Sequence, residues 1–256
     1  MKQLTTFTSK ELLESVRTGK MLILSILFLL FGIMNPAIAK LTPWLMEILS
    51  ENLTETGFSI ISVEVNALTS WTQFYKNIPI AFIIFLLIFS NTLTGEYQKG
   101  TLINIITKGM NRWKIIVSKA ITIIAFWTIG YWLMFGITYG YNAYFWDNNI
   151  ISHIFFSAFC SYLIGIWLIS LLLLMSTIFR SNPFVLLAVG GVFLVIYFIG
   201  LFPKIGTYMP IQLLNSMDLL LHIEKISEYS YAIILTLIFS ILNIAVSIIC
   251  FNKKNI

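Results

Sequence analysis

Glu96 and five basic residues, Lys99, Lys108, Arg112, Lys114 and Lys119, crowd one short stretch between two long apolar runs. Within it, Gly100 and Gly109 fence an apolar set, Leu102, Ile103, Ile105 and Ile106. This is chemistry of docking: a carboxylate, a capped apolar turn and several cations suit a protein surface better than a reacting substrate. Motifs and clusters that make and break bonds are missing from the sequence. No G-x-x-x-x-G-K-[ST] or G-x-G-x-x-G cradle for nucleotide phosphates occurs. No His, Cys and acid cluster has metal-ligand spacing. His153 and His222 stand far apart, and Cys160 and Cys250 fall in different apolar runs. No enzyme activity, metal or cofactor is expected of this chain.

The elements that carry the charged stretch are membrane spans. Of 256 residues, 58% are hydrophobic and 11% charged, with mean hydropathy +0.89. A soluble domain carries about 25% charged residues, so lipid must solvate most of this chain. Six runs approach the roughly 20 apolar residues a span needs: 21–39, 78–94, 115–139, 154–179, 184–202 and 231–251. They are continuous rather than alternating, which predicts an all-α integral membrane protein and not a barrel. Ion-coupled carriers bury charged relays in their spans. None stands near the middle of these six, and Lys119, one turn into the third, is expected to snorkel to the interface.

Lys and Arg set the orientation. With both termini cytoplasmic, 12 of the 16 basic residues lie inside and 8 of the 11 acidic ones outside. The basic balance is thus a topology signal and predicts no nucleic-acid partner. Residues 1–20 read as an amphipathic helix opened by a capping box, Thr8-x-x-Glu11, with Phe7 and Leu12 at the staple positions. Its stripe Leu12, Leu13, Val16 would lie in the headgroups. The long outer loop 40–77 opens with a surface helix from Pro43, and Phe58–Val65 is expected to be extended. A further re-entrant or surface helix is expected over Ile211–Ile223.

Between spans two and three, Gly100 ends one helix and Thr101 N-caps the next. Lys108 sits in its last turn, favourable for the dipole, and Gly109 takes the left-handed position after it. Asn111 then caps span three, with Arg112 as an interfacial anchor. The expected result is a two-turn helix whose apolar side seeks a groove in a partner.

The chain resembles the six-span permease subunits of type-two ABC exporters. The resemblance rests on the N-terminal amphipathic helix, the six spans, and the run Glu96, Gly100-Thr101-Leu102, Lys108-Gly109 and Arg112. It implies that residues 1–20, with Phe7, Thr8, Glu11 and Leu12, form an elbow helix. It implies that the loop 96–112 holds a coupling helix that docks on a separate ATP-binding subunit. Glu96, Gly100, Thr101, Leu102, Ile105, Lys108, Gly109 and Arg112 would be its coupling residues. A second permease copy or a paralogue would complete the path, with spans one and five at the seam, in a bacterial plasma membrane. The expected function is export of an amphipathic or lipidic substrate such as a peptide, antibiotic or lipid-linked molecule. The rivals are a stand-alone secondary transporter or channel, with Asn91, Asn142 and Asn243 as its polar groups, and a membrane immunity or binding protein. Two small-residue ridges, Gly136-x-x-x-Gly140 and Ser157-x-x-x-Ser161-x-x-x-Gly165, allow close helix packing within or between chains.

Overall fold

The computed structural model describes residues 2–53, 65–148, 151–221, 223 and 225–254. Among them the order is α1 (Lys2–Arg17), α2 (Lys20–Leu53), α3 (Ala67–Phe89), α4 (Asn91–Gln98), α5 (Thr101–Thr107), α6 (Arg112–Phe145), α7 (Ile154–Ile178), α8 (Asn182–Gly200), α9 (Pro203–Gly206), a 3₁₀ helix (Pro210–Leu219) and α10 (Ile226–Lys253). Six helices are long and apolar enough to cross a membrane: α2, α3 running into α4, α6, α7, α8 and α10. No strand occurs among the described residues. Residues 58–64 and His222 lie outside them.

The helices outrun the apolar runs that announce them. α2 and α6 each have 34 residues, about 50 Å at 1.5 Å per residue, against roughly 30 Å of hydrocarbon. Residues 40–53, expected to leave span one and open a separate surface helix at Pro43, instead continue α2 without a break. Proline costs that helix one N–H, but neighbouring groups hold the register. Thr42 Oγ1 donates to the Ile38 carbonyl at 2.8 Å, and Lys40 Nζ lies 3.9 Å above the Phe145 ring of α6.

Pro36 is accommodated by a neighbouring helix. Its missing N–H leaves the Gly32 carbonyl without an intrahelical donor. Thr138 Oγ1 of α6 donates to that carbonyl at 3.1 Å. Thr138 in turn accepts from Asn35 Nδ2 at 3.0 Å, and Asn35 Oδ1 accepts from Asn77 Nδ2 of α3 at 2.7 Å. A directed relay therefore ties α3 to α2 to α6. Gly32 permits the approach, because a Cβ there would lie 2.9 Å from Ile137 Cβ. Thr138→Val is expected to cost about 1–3 kcal/mol, the penalty for a stranded buried acceptor. In Pro36→Ala the N–H returns, so Thr138→Val should be much milder on that background. Equal costs on both backgrounds, measured by thermal unfolding in detergent, would refute the account.

α7 forms the centre. Its Ser157, Ser161 and Gly165 ridge packs inside the chain. Ser157 Oγ donates to the Ser216 carbonyl, and Ser161 Oγ is 2.9 Å from Ser216 Oγ. Tyr229 of α10 donates to the Asn215 carbonyl at 2.9 Å. These donors satisfy the 3₁₀ helix, an irregular backbone acceptable at membrane depth only when buried in protein. The segment expected as a helix over Ile211–Ile223 is thus a docked 3₁₀ turn series, with Ile211, Leu213 and Leu219 buried. Gly136 and Gly140 face outward, and added Cβ atoms there would meet nothing within 4 Å.

Candidate functional site

Both chain ends and the α4–α5 hairpin meet at one end of the bundle. A small apolar cluster of Phe7, Leu93, Leu102, Ile115, Ile116 and Phe251 binds α1, α4, α5, α6 and α10 there. Every fourth residue of α1, Phe7, Glu11 and Ser15, turns inward, while Leu12, Leu13 and Val16 stay exposed. The helix starts at Lys2, so Thr8 is not an N-cap. Its hydroxyl donates to the Leu4 carbonyl at 3.0 Å, and Glu11 is free for a longer-range role. Phe7 is 7% exposed and Leu12 37%, on different faces, so the expected staple does not form. Burial of Phe7 in the shared cluster stabilises the first turn in its place.

Glu11 belongs to a closed ring of alternating charge. Lys119 of α6 lies 2.9 Å from Glu11 Oε2 and 2.9 Å from Glu96 Oε2 of α4. Lys10 completes the ring, 3.1 Å from Glu11 Oε1 and 3.4 Å from Glu96 Oε1. Side-chain exposure is 1% for Lys119, 5% for Glu11 and 10% for Glu96. Lys119 also donates to the Thr92 carbonyl at 3.1 Å. Its contact with Glu96 Oε2 lies off the line a hydrogen bond requires, so that pair is held by charge alone. Lys119 does not snorkel, because two carboxylates and a carbonyl meet it in place.

Glu14 extends the ring outward, 2.7 Å from Lys10. Burial works against the charge on Lys10, but the Glu14 hydrogen bond and the charges of Glu11 and Glu96 outweigh it and raise its pKa. Burial likewise opposes the Glu14 carboxylate, and Lys10 more than compensates, lowering that pKa. Carboxylate oxygens of Glu11, Glu14 and Glu96 come within 4.8 Å of one another. The two ammonium groups already supply the positive charge such a cluster needs.

α5 stands between two left-handed glycines, Gly100 at φ 66° and Gly109 at φ 83°. Side chains are strained there, so both turns demand glycine. Gly100 itself occupies the N-cap position. Thr101, expected to cap, is instead the first helical residue, with its hydroxyl 3.5 Å from the Glu96 carbonyl. Leu102 is fully buried, and Ile105 and Ile106 pack on the same cluster. The apolar side of α5 is therefore satisfied within the chain. Its outward face carries Thr101, Ile103, Asn104, Thr107 and Lys108. Asn111 occupies the N-cap of α6 without a side-chain capping bond.

Arg112, at the start of α6, closes the end of the bundle. Its Nη1 donates to the carbonyls of Phe251, Asn252 and Lys254, at 3.2, 3.2 and 2.6 Å. Lys254 donates to the carbonyls of Thr177 and Ile178 at 2.7 and 3.1 Å. Each cation meets the orphan carbonyls at the C-terminus of a spanning helix, where the dipole favours it.

A family model described as ABC-2 family transporter protein matches residues 6–248. The chain belongs to the ABC-2 transporter family. It is a multi-pass protein of the permease type, a membrane transport component rather than a catalyst. No curated protein matches it.

In this ABC-2 protein residues of the expected elbow and of the expected coupling stretch meet at one end of the bundle, where some face inward and others outward. Glu96, Glu11, Phe7 and Leu102 face inward and join α1 to α4, α5 and α6. Thr101 at the start of α5 is exposed, as are Lys108 and Gly109, but Lys108, expected in the last turn, is the C-cap just past Thr107, and Gly109 lies in the turn after it. Arg112 serves the α10 terminus, and Thr8 and Leu12 take no part in the ring. Lys10 and Lys119 are the residues that sequence reasoning missed. A lysine one turn inside a span, with spare carboxylates on neighbouring elements, was the available signal. Of the polar residues offered for a rival pathway, Asn243 donates to Ser170 at 3.1 Å, while Asn142 is buried with neither side-chain polar atom partnered.

Proposed function

We propose that this ABC-2 protein is the permease subunit of an ATP-driven exporter, moved by a separate ATP-binding subunit that hydrolyses the nucleotide. The carrying observation is α5: a short helix fixed by two left-handed glycines, buried on one side and bare on the other. The outward face, with Ile103 and Lys108, is the docking surface. The charge ring and the Phe7–Leu102–Phe251 cluster pass its movement to α1, α6 and α10. In this reading α5 is the coupling helix, both termini are cytoplasmic, and α1 is an elbow whose exposed Leu12, Leu13 and Val16 rest in the headgroups.

The substrate class is amphipathic or lipidic, a peptide, antibiotic or lipid-linked molecule, because the mid-span surfaces are aliphatic and aromatic without fixed charge. A second copy or a paralogue completes the path. α8, α10 and α2 are the spans that bury least within the chain, and of these the resemblance to type-two exporters favours α2 and α8 as the faces for it. The membrane is a bacterial plasma membrane.

The test is co-purification of an ATP-binding cassette subunit with the tagged chain. Ile103→Asp with Lys108→Glu should cut recovery roughly tenfold, as for loss of an apolar anchor plus a reversed charge. Both residues are exposed, so melting should hardly change. Unaltered recovery, or a chain that never brings down such a subunit, refutes the reading. Glu96 is unsuitable for this test, because reversing its charge breaks the internal ring.

A further inference from the structure

Asn142 of α6 is fully buried, yet neither its Oδ1 nor its Nδ2 has a protein partner. Ser70 of α3 is fully buried too, with its hydroxyl unpaired. Buried polar groups nearly always find a partner, so each of these calls for one. Helix register brings them to a common level. α2 and α6 run in the same direction, with Asn35 against Thr138 and Lys40 against Phe145. Ala39, also fully buried, is therefore level with Asn142. α3 runs the opposite way, with Asn77 against Asn35. Ser70, seven residues before Asn77 and on the same face, is then level with the turn from Ala39 to Pro43. Pro43 lies inside α2 and has no N–H, so the Ala39 carbonyl loses its intrahelical donor.

Around Pro36 the same three helices meet the same need by direct contact, with Thr138 Oγ1 donating to the Gly32 carbonyl at 3.1 Å. Around Pro43 the spacing differs. Ala39 stands seven residues beyond Gly32, about 10.5 Å along the axis, whereas Asn142 stands only four beyond Thr138, about 6 Å. Asn142 and the Ala39 carbonyl are thus out of step by roughly 4–5 Å, too far for one hydrogen bond and close to the span of two bonds through a water. The chemistry agrees with the spacing. The Ser70 hydroxyl and Asn142 Nδ2 donate, the Ala39 carbonyl and Asn142 Oδ1 accept, and water does both. We infer that ordered water is bound where α2, α3 and α6 meet, held by Asn142 and Ser70 and donating to the Ala39 carbonyl in place of the N–H that Pro43 lacks. Water serves freed backbone groups in this way inside membrane helices, and a buried water typically makes about three such bonds. The site stands apart from the α5 docking face and does not depend on the transport reading.

Asn142→Leu in the full chain, melted in detergent, tests this. Removing the anchor strands the Ala39 carbonyl and the Ser70 hydroxyl, so the apparent melting temperature should fall by about 5 °C. On a Pro43→Ala background the carbonyl regains its N–H, and the same substitution should cost less than half as much. Were Asn142 merely an unserved amide, leucine would raise the melting temperature, and that result, or equal costs on both backgrounds, would overturn the proposal. Melting in sodium chloride and in choline chloride should agree, and stabilisation by sodium alone would overturn it in favour of a bound cation. A crystal structure of the wild-type chain at about 2 Å reads the site directly, whether or not the variants fold. Density is expected about 2.8 Å from both the Ala39 carbonyl oxygen and Ser70 Oγ. A dry junction, or a direct hydrogen bond from Asn142 to Ala39, would overturn the assignment.

Discussion

Lys119→Met should lower the apparent melting temperature by about 10 °C, the shift that corresponds to roughly 3–5 kcal/mol in a chain of this size. Methionine fills the space but strands Glu11 and Glu96, both buried, with Lys10 as their remaining cation. Removing one partner of a buried ion set costs far more than the set contributes intact. Neutralising it as a whole should therefore recover most of the loss. The triple variant Glu11→Gln, Glu96→Gln, Lys119→Met leaves Lys10 on Glu14, 2.7 Å away, and should melt near the wild type. In the single variant α1 should also loosen, which trypsin reads as faster cleavage after the exposed Arg17. A single variant as stable as the wild type, with unchanged cleavage, would show that the ring carries no net weight.

Gly165→Ala is the second large effect. A Cβ at this position would lie 2.2 Å from Trp127 Cε2. The indole cannot swing aside. It is fully buried, its Nε1 donates to the Tyr162 carbonyl at 3.2 Å, and Phe82, Phe85 and Tyr131 stand 5.1, 5.2 and 5.3 Å from its centre. Overpacking of this kind costs about 1–3 kcal/mol, more where the backbone must move. The added methyl meets a ring rather than the tip of a flexible chain, so the upper end is expected. Trp127→Phe removes the offending atoms, and the double variant should be more stable than the two single costs predict. Strict additivity in thermal unfolding would count against the clash.

The ridge containing Gly165 illustrates how far sequence carries the argument. Small residues at four-residue spacing announce close packing, and the structure contains it. Spacing alone does not say whether the neighbour is Trp127 of the same chain or another copy. The six spans and the glycine fence around α5 were legible for local reasons: long apolar runs must be helical in lipid, and left-handed turns demand glycine. The apolar side of α5 was legible as a face in need of cover. Its cover comes from Phe7, Ile115 and Phe251, positions at both ends and the middle of the chain that no local pattern connects. Glu11 was misread for the same reason, since its position three residues after Thr8 fits a cap and nothing nearby names Lys119. Proline at 36 announces a missing N–H, but the Thr138 hydroxyl that serves the carbonyl it leaves lies on α6, beyond any local window.

The charge ring also bears on how the chain is made. Glu11 leaves the ribosome 108 residues before Lys119. Until the third span is in place, this carboxylate lacks its buried counterion. The half-exposed Lys10 would then be its only counterion, and burial would cost a large part of an ion's desolvation penalty, so the nascent first helix stays at the water boundary with its acid hydrated. Arrival of Lys119 removes the penalty and lets the helix dock. Synthesis thus has a built-in order, in which the earliest segment settles only after half the chain has been threaded. A ribosome stalled before residue 119 would leave that segment open to protease.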